Sequence, residues 1–433
     1  MLPEKATRLL LNWTVMTADP QFSQIAPAAA GAELAAQPAT TTRGKLRRVI
    51  LTVIASGLLL STVAGGLWFT QYRTRSGFQE RCEQARREGL WAELRIAADE
   101  WSAWDPLDSK PRWLAAEAAQ EQDEFQDLAD CLGRIPASDP NYAFALAEKA
   151  NVEWTALNNP LLALQTSEQA VRLEPRLTET HSRIISFYAM TGQRIAMLKA
   201  IRAALQAGAE PRETYTYLIM ADVLSFSNGS ELNEKWIQSN PEEIRFKISL
   251  AVNTAMQLAM NQDTSPTPEI QQLNQQAKQQ LTWILEKYPH DPVLLSYLMH
   301  QAYRTGDVPG MASLLQSVDD SAAEDHMVWV YRGWYHIQTQ EYAEAEKSLQ
   351  EALRIHPLSP LAHHEYASLL RVQQRPELAK EQQLASYGRD LRGEILLLPS
   401  AVSLTPVLLV KIQSYAESCG DSLVATTLGR RLE

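Results

Sequence analysis

Prolines at positions 106, 140, 175 and 211 keep a beat of roughly 34 residues, and those at 289 and 357 continue it at about twice the interval. Each closes a similar phrase: WDPLD, SDPNY, LEPRL, AEPRE, YPHDP and HPLSP. Between them lie two apolar-periodic stretches of helical length, with small residues where the stretches would meet. Proline cannot continue a helix, so each one separates a helix pair from the next. A period of this length with helix–turn–helix content constrains the chain to an all-α array of stacked pairs. Each pair is then expected to bury its apolar face only against its neighbours.

The second constraint is upstream. From Val49 to Phe69 the chain carries no charge. At 1.5 Å per residue such a helix reaches about 31 Å, the thickness of a bilayer's hydrocarbon layer. Arg43, Lys45, Arg47 and Arg48 precede it, and Trp68, Tyr72, Arg73 and Arg75 close its far end. Basic flanks and interfacial aromatics suit the two headgroup layers. The run begins only after Arg48 and lacks a clean A-x-A or a lipidation cysteine behind it, so positions 49–70 read as an uncleaved single-pass anchor. Basic residues favour a cytoplasmic N-terminus and an extracytoplasmic array by a margin of one charge.

Charge divides unevenly. Positions 1–48 hold Lys5, Arg8, Arg43, Lys45, Arg47 and Arg48 against Glu4, Asp19 and Glu33, a net of +3, so the remainder of a chain at −11 carries −14. So acidic an array is not a nucleic-acid binder by its overall field. The 1–48 segment is an Ala/Pro/Thr-rich basic tail expected to be disordered, with Leu9 to Trp13 as a chance apolar cluster. Cys82, Cys131 and Cys419 form no C-x-x-C pair and read as small apolar residues within helices.

The clearest repeat runs from His326 to Ser359. Trp329, Gly333, Tyr342, Ala345, Leu349, Ala352 and Pro357 take the places that mark a tetratricopeptide repeat, and the segment resembles that family closely. Gly333 and Ala345 are small enough for two antiparallel helices to approach, while Trp329, Leu349 and Ala352 fill the seams. Arg332 and His336 depart from the family's leucine and tyrosine, with Tyr335 placed to fill the latter's space. Further units begin at Arg75, Ser109, Phe144, Thr178, Pro292 and Pro360. One more has Pro241–Met260 as its first helix, followed by the loop NQDTSPTP. A short pair turning at Asn228-Gly229 and two last helices in Ser403–Leu432 complete the count. The resemblance implies a right-handed tetratricopeptide-type solenoid over residues 71–433, with eight or nine helix pairs. It is degenerate over 212–268 and has a terminal cap at 394–433.

In that family the first helices line a concave face and contact partners through the fifth, ninth, twelfth and thirteenth positions. Carried over, these are Trp113 and Glu117, then His300, Tyr303 and Arg304, then Trp334 and Gln338, then His364 and Arg371. Aromatics and arginines dominate interface energetics. The resemblance therefore implies a protein or peptide ligand in the groove. The lysine and asparagines of the family's carboxylate clamp are absent. No nucleotide-loop, metalloprotease, nucleophile-elbow or dinucleotide motif occurs, so neither catalysis nor a cofactor is expected. No metal site is expected either: His363, His364 and Glu365 point in different directions on a helix and read as solvated. Asn12 and Asn228 match the glycosylation sequon, the latter reading as a turn. The expected protein is a membrane-anchored interaction scaffold, or else an accessory subunit of a membrane or cell-envelope enzyme.

Overall fold

The computed structural model describes residues 43–223, 228–260 and 268–432. The tail as far as Thr42, with Asn12 and the Leu9–Trp13 cluster, and the loop at 261–267 lie outside the described residues, as do the side chains of Arg47 and Arg48. Among the described residues there is no strand. The helices are α1 (Arg43–Glu88), α2 (Trp91–Trp104), α3 (Lys110–Glu121), α4 (Phe125–Gly133), α5 (Tyr142–Thr155), α6 (Pro160–Leu173) and α7 (Thr178–Met190). They continue with α8 (Arg194–Ala207), α9 (Thr214–Ile219), α10 (Gly229–Ser239), α11 (Ile244–Met260), α12 (Pro268–Lys287), α13 (Pro292–Thr305) and α14 (Val308–Gln316). The last are α15 (His326–Gln338), α16 (Tyr342–Ile355), α17 (Pro360–Val372), α18 (Leu378–Leu396), α19 (Pro406–Cys419) and α20 (Ser422–Leu432).

The turn inside each pair carries the period as backbone geometry. Gly89, Asp123, Asn158 and Gly192, then Gly306, Gln340 and Gln374, have φ between 49° and 70°. Within each run they follow one another at the same beat as the prolines, so one left-handed residue reverses the chain in each pair. Other prolines start helices: Pro160, Pro292, Pro360 and Pro406 occupy first positions behind Asn159, Asp291, Ser359 and Thr405, whose side chains accept from the first turn. Pro357 lies in the turn after α16, as its spacing predicts.

In the clearest repeat the small residues act as expected. A Cβ on Gly333 would stand 2.5 Å from Leu349 Cγ, and Ala345, Leu349 and Ala352 are fully buried. Trp329 is half-buried and sends its indole N–H to the Ala323 carbonyl at 2.8 Å. The Arg332 guanidinium lies over its ring at 4.6 Å, which gives that departure from leucine a packing role. Tyr335 packs on the core around Met327 and Val330.

The expectation that pairs bury surface only against neighbours does not hold. One core joins Ile185, Phe187, Tyr215, Leu218, Trp236 and Phe246 to Leu358, Leu391, Leu408, Tyr415 and Leu428. All six residues of α9 are buried. So short a helix has no full-length partner of its own, and it packs against α7, α8 and α18. Polar contacts close the same seam: Arg202 pairs with Asp421 at 2.5 Å, Thr216 donates to the Ala401 carbonyl at 2.8 Å, and Arg431 donates to the Glu210 carbonyl at 3.1 Å.

The described residues divide into two compact units, with the division between Arg73 and Thr74. The predicted boundaries at 48/49 and 70/71 do not interrupt the helix. No proline intervenes, so α1 continues until Gly89 at φ 70°. The region Ile54–Glu88 contains a window long and apolar enough to cross a membrane, none of it buried. Ile54, Leu58, Val63, Leu67, Trp68, Phe69 and Tyr72 are each more than half exposed. Likewise α18 runs to Leu396, past the predicted start of the cap at 394.

Candidate functional site

Three of the residues predicted for the inner face form one contiguous group. His300 Nδ1 lies 3.2 Å from the Tyr331 hydroxyl, and the Tyr303 ring packs edge-on against Trp334 at 5.5 Å. Tyr303 also donates to Glu365 Oε1 at 2.6 Å, tying α13 to α17 across α15. Trp334 is only 7% exposed, so its ring is committed to the core between helices. Arg304, Gln338, His364 and Arg371 are exposed. Trp113 and Glu117 stand elsewhere, and both are engaged within the chain. The Trp113 indole donates to Asp139 Oδ2 at 3.3 Å and its ring stacks near Phe144, while Glu117 accepts from Arg86 at 2.7 Å.

His363 and Glu365 correct the sequence reading, which had them solvated. His363 is 4% exposed, with Nδ1 2.6 Å from Glu381 Oε2 and Nε2 2.9 Å from the Pro357 carbonyl. His181 meets the Pro175 carbonyl in the same way at 2.9 Å. In both units a histidine six places after the proline satisfies a carbonyl left free by the turn. His364 alone of the three is exposed.

A polar network lies beneath this face. The turn after α9 brings Ala221 and Asp222 against the starts of α8, α15 and α17. Arg194 donates through Nε to the Ala221 carbonyl at 2.7 Å and through one terminal nitrogen to both oxygens of Asp325, at 2.9 and 2.7 Å. Asp222 accepts from Ser359 Oγ at 2.9 Å, from His326 Nε2 at 2.9 Å and from the Leu361 N–H at 3.1 Å. Burial opposes ionisation of its carboxyl, but the hydrogen bond and charge from His326 hold it well below the usual range.

Burial likewise pushes the His300 imidazole down from 6.5 to about 4, with Arg304 and Arg194 adding to the shift, and lowers His181. Below pH 6.5 the unfolded rings take up protons that the folded ones refuse until about pH 4 for His300. The unfolded state then binds more protons, so stability falls as pH drops through this window. Denaturation midpoints between pH 7.5 and 4.5 should show the decline, and it should be shallower in His300→Gln. A flat profile would refute the assignment.

The more open surface lies on the earlier units. A polar cavity of about 330 Å³ is lined by Asn151 and Trp154 of α5 and by Ser182, Arg183 and Ser186 of α7, with Tyr217 of α9 beside them. Arg183 donates to Asn151 Oδ1 at 3.2 Å. Its pKa is lowered by burial against the opposing charges of Glu148, Glu179 and Glu153, while burial raises Glu148. Ser182 donates to Glu213. Ser182 and Ser186 are the fifth and ninth positions counted from Thr178, and small hydroxyls carry no signal of their own in a sequence.

No curated protein matches the chain. Solved structures similar to it include a tetratricopeptide repeat protein from Parabacteroides merdae, at 11% identity and a TM-score of 0.24, covering 65% of this chain and 92% of that one. The APC/C hetero-tetramer Cut9–Hcn1 is similar at 12% identity and a TM-score of 0.29, covering 82% and 78%. Yeast Tom70 is similar at 13% identity and a TM-score of 0.25, covering 82% and 76%. Within the chain itself, residues 326–369, which hold α15, α16 and most of α17, match the family model described as Tetratricopeptide repeat.

Proposed function

We propose that this protein is a membrane-anchored scaffold that binds other proteins through its helix-pair array and carries out no catalysis itself. The observation that carries the reading is the tetratricopeptide match at 326–369, set in an array whose within-pair turns keep one beat outside the irregular middle. Arrays of this kind present extended binding surfaces. Two candidate surfaces are the cavity lined by α5 and α7, and the exposed side chains Arg304, Gln338, His364 and Arg371 on α13, α15 and α17. The anchor is assigned to residues 49–70, whose apolar side chains beyond Val53 are exposed where described. Four basic residues before it favour a cytoplasmic N-terminus with the array outside.

Removing residues 49–70 should move the protein from the membrane to the soluble fraction while leaving partner capture intact. Arg304→Ala with Arg371→Ala should do the reverse, staying in the membrane but losing captured protein. Changes to exposed side chains alter folding by only about 0.5 kcal/mol or less. A deletion variant still in the membrane would overturn the anchor. Undiminished capture by the folded double variant would move recognition away from Arg304 and Arg371.

A further inference from the structure

We infer that Asp222, His326 and His356 form a binding site for one divalent transition-metal ion of the zinc type, which locks the middle of the array to its C-terminal units. The three come from the turn after α9, the first residue of α15 and the residue that ends α16. One donor atom from each lies within 4.8 Å of the others, and their exposures are 7%, 0% and 1%. His326 Nε2 and Asp222 Oδ1 are 2.9 Å apart, close to the separation of about 3.3 Å between two ligands of a tetrahedral ion with bonds near 2.0–2.1 Å. Two imidazoles and one carboxylate suit zinc and its first-row neighbours better than magnesium or calcium, which prefer all-oxygen sets.

The second observation is the state of the rings' other nitrogens. His356 donates from Nε2 to the Leu218 carbonyl at 3.1 Å, which leaves a lone pair on Nδ1, and that buried atom has no partner. When His326 donates from Nε2 to Asp222, its own Nδ1 is likewise buried and without a partner. Leaving such buried atoms unsatisfied forfeits the hydration they had in the unfolded chain. One ion answers the unpartnered His356 Nδ1. It would accept the lone pairs of His356 Nδ1 and His326 Nε2 together with an Asp222 oxygen. The proton of His326 then moves to Nδ1, 3.9 Å from Asp325 Oδ1, an ion-pair separation longer than a hydrogen bond. Metal-binding histidines commonly direct their remaining N–H at a carboxylate or a backbone carbonyl, and the Leu218 carbonyl does this for His356.

The test uses the full chain, purified without a histidine tag and dialysed, with metal measured by mass spectrometry. About one equivalent of zinc per chain should remain. A chelator should lower the thermal midpoint, added zinc should restore it, and cobalt should give the visible bands of a low-symmetry nitrogen–oxygen site. His356→Ala should lose the ion, while His290→Ala, altering an exposed histidine, should keep it. If the wild-type chain neither retains nor regains metal and its midpoint ignores both chelator and zinc, the cluster is a hydrogen-bonded network only. Equal loss from His290→Ala would also overturn the site. The wild-type chelator and cobalt measurements decide the matter even if His356→Ala does not fold.

Discussion

Gly333→Ala is expected to destabilise the array by about 1–3 kcal/mol, although alanine gains about 1 kcal/mol over glycine in an open helix. The added Cβ would lie 2.5 Å from Leu349 Cγ and 2.7 Å from Cδ2, against a preferred carbon–carbon separation of about 3.5–4.0 Å. Leu349 is fully buried and has nowhere to retreat, so α15 and α16 must separate. Gly393 supplies the contrast, because it is exposed in α18 with nothing within 4 Å of where an alanine methyl would stand. Gly393→Ala should be neutral or stabilising. Chemical denaturation of both variants checks the pair of expectations. Equal effects would mean that close helix approach at Gly333 does not limit stability.

Asp325→Asn should be more damaging, at about 3–5 kcal/mol, because it leaves the Arg194 guanidinium charged and uncompensated in the interior. The two side chains are only 3% and 8% exposed. Asparagine keeps the side-chain acceptor that caps the Met327 N–H, so lost capping does not account for the effect. Asp421→Asn should cost less, since its partner Arg202 is 25% exposed and water can still reach the guanidinium. Denaturant midpoints of the two variants decide the order. A loss below about 1 kcal/mol for Asp325→Asn would mean that water or another group solvates Arg194.

Local chemistry was legible because it repeats. Pro357 in the turn after α16, the small Gly333 against Leu349 and the buried Ala345 and Ala352 are each written within a single repeat of the chain. The left-handed turn residues at Asp123, Asn158, Gln340 and Gln374 belong to the same beat, although their side chains do not announce it as glycine does. The candidate binding face was legible in part. Position in the repeat placed His300, Tyr303 and Trp334 together, but could not tell that Tyr303 is engaged by Glu365 or that Trp334 is almost wholly buried.

What the sequence determined by itself is therefore the helix-pair architecture and the apolar stretch within α1, because both depend on spacings of at most one repeat. Only the tertiary structure decided that residues near α9 share a core with Leu358 and α18 to α20. It alone brought Asp222 to His326, 104 positions away in the chain, and to His356, further still. Periodicity describes how a helix pair meets its neighbours. It carries no information about which distant pair will cover a six-residue helix that cannot bury itself, and the buried polar groups that settle that choice leave no periodic trace.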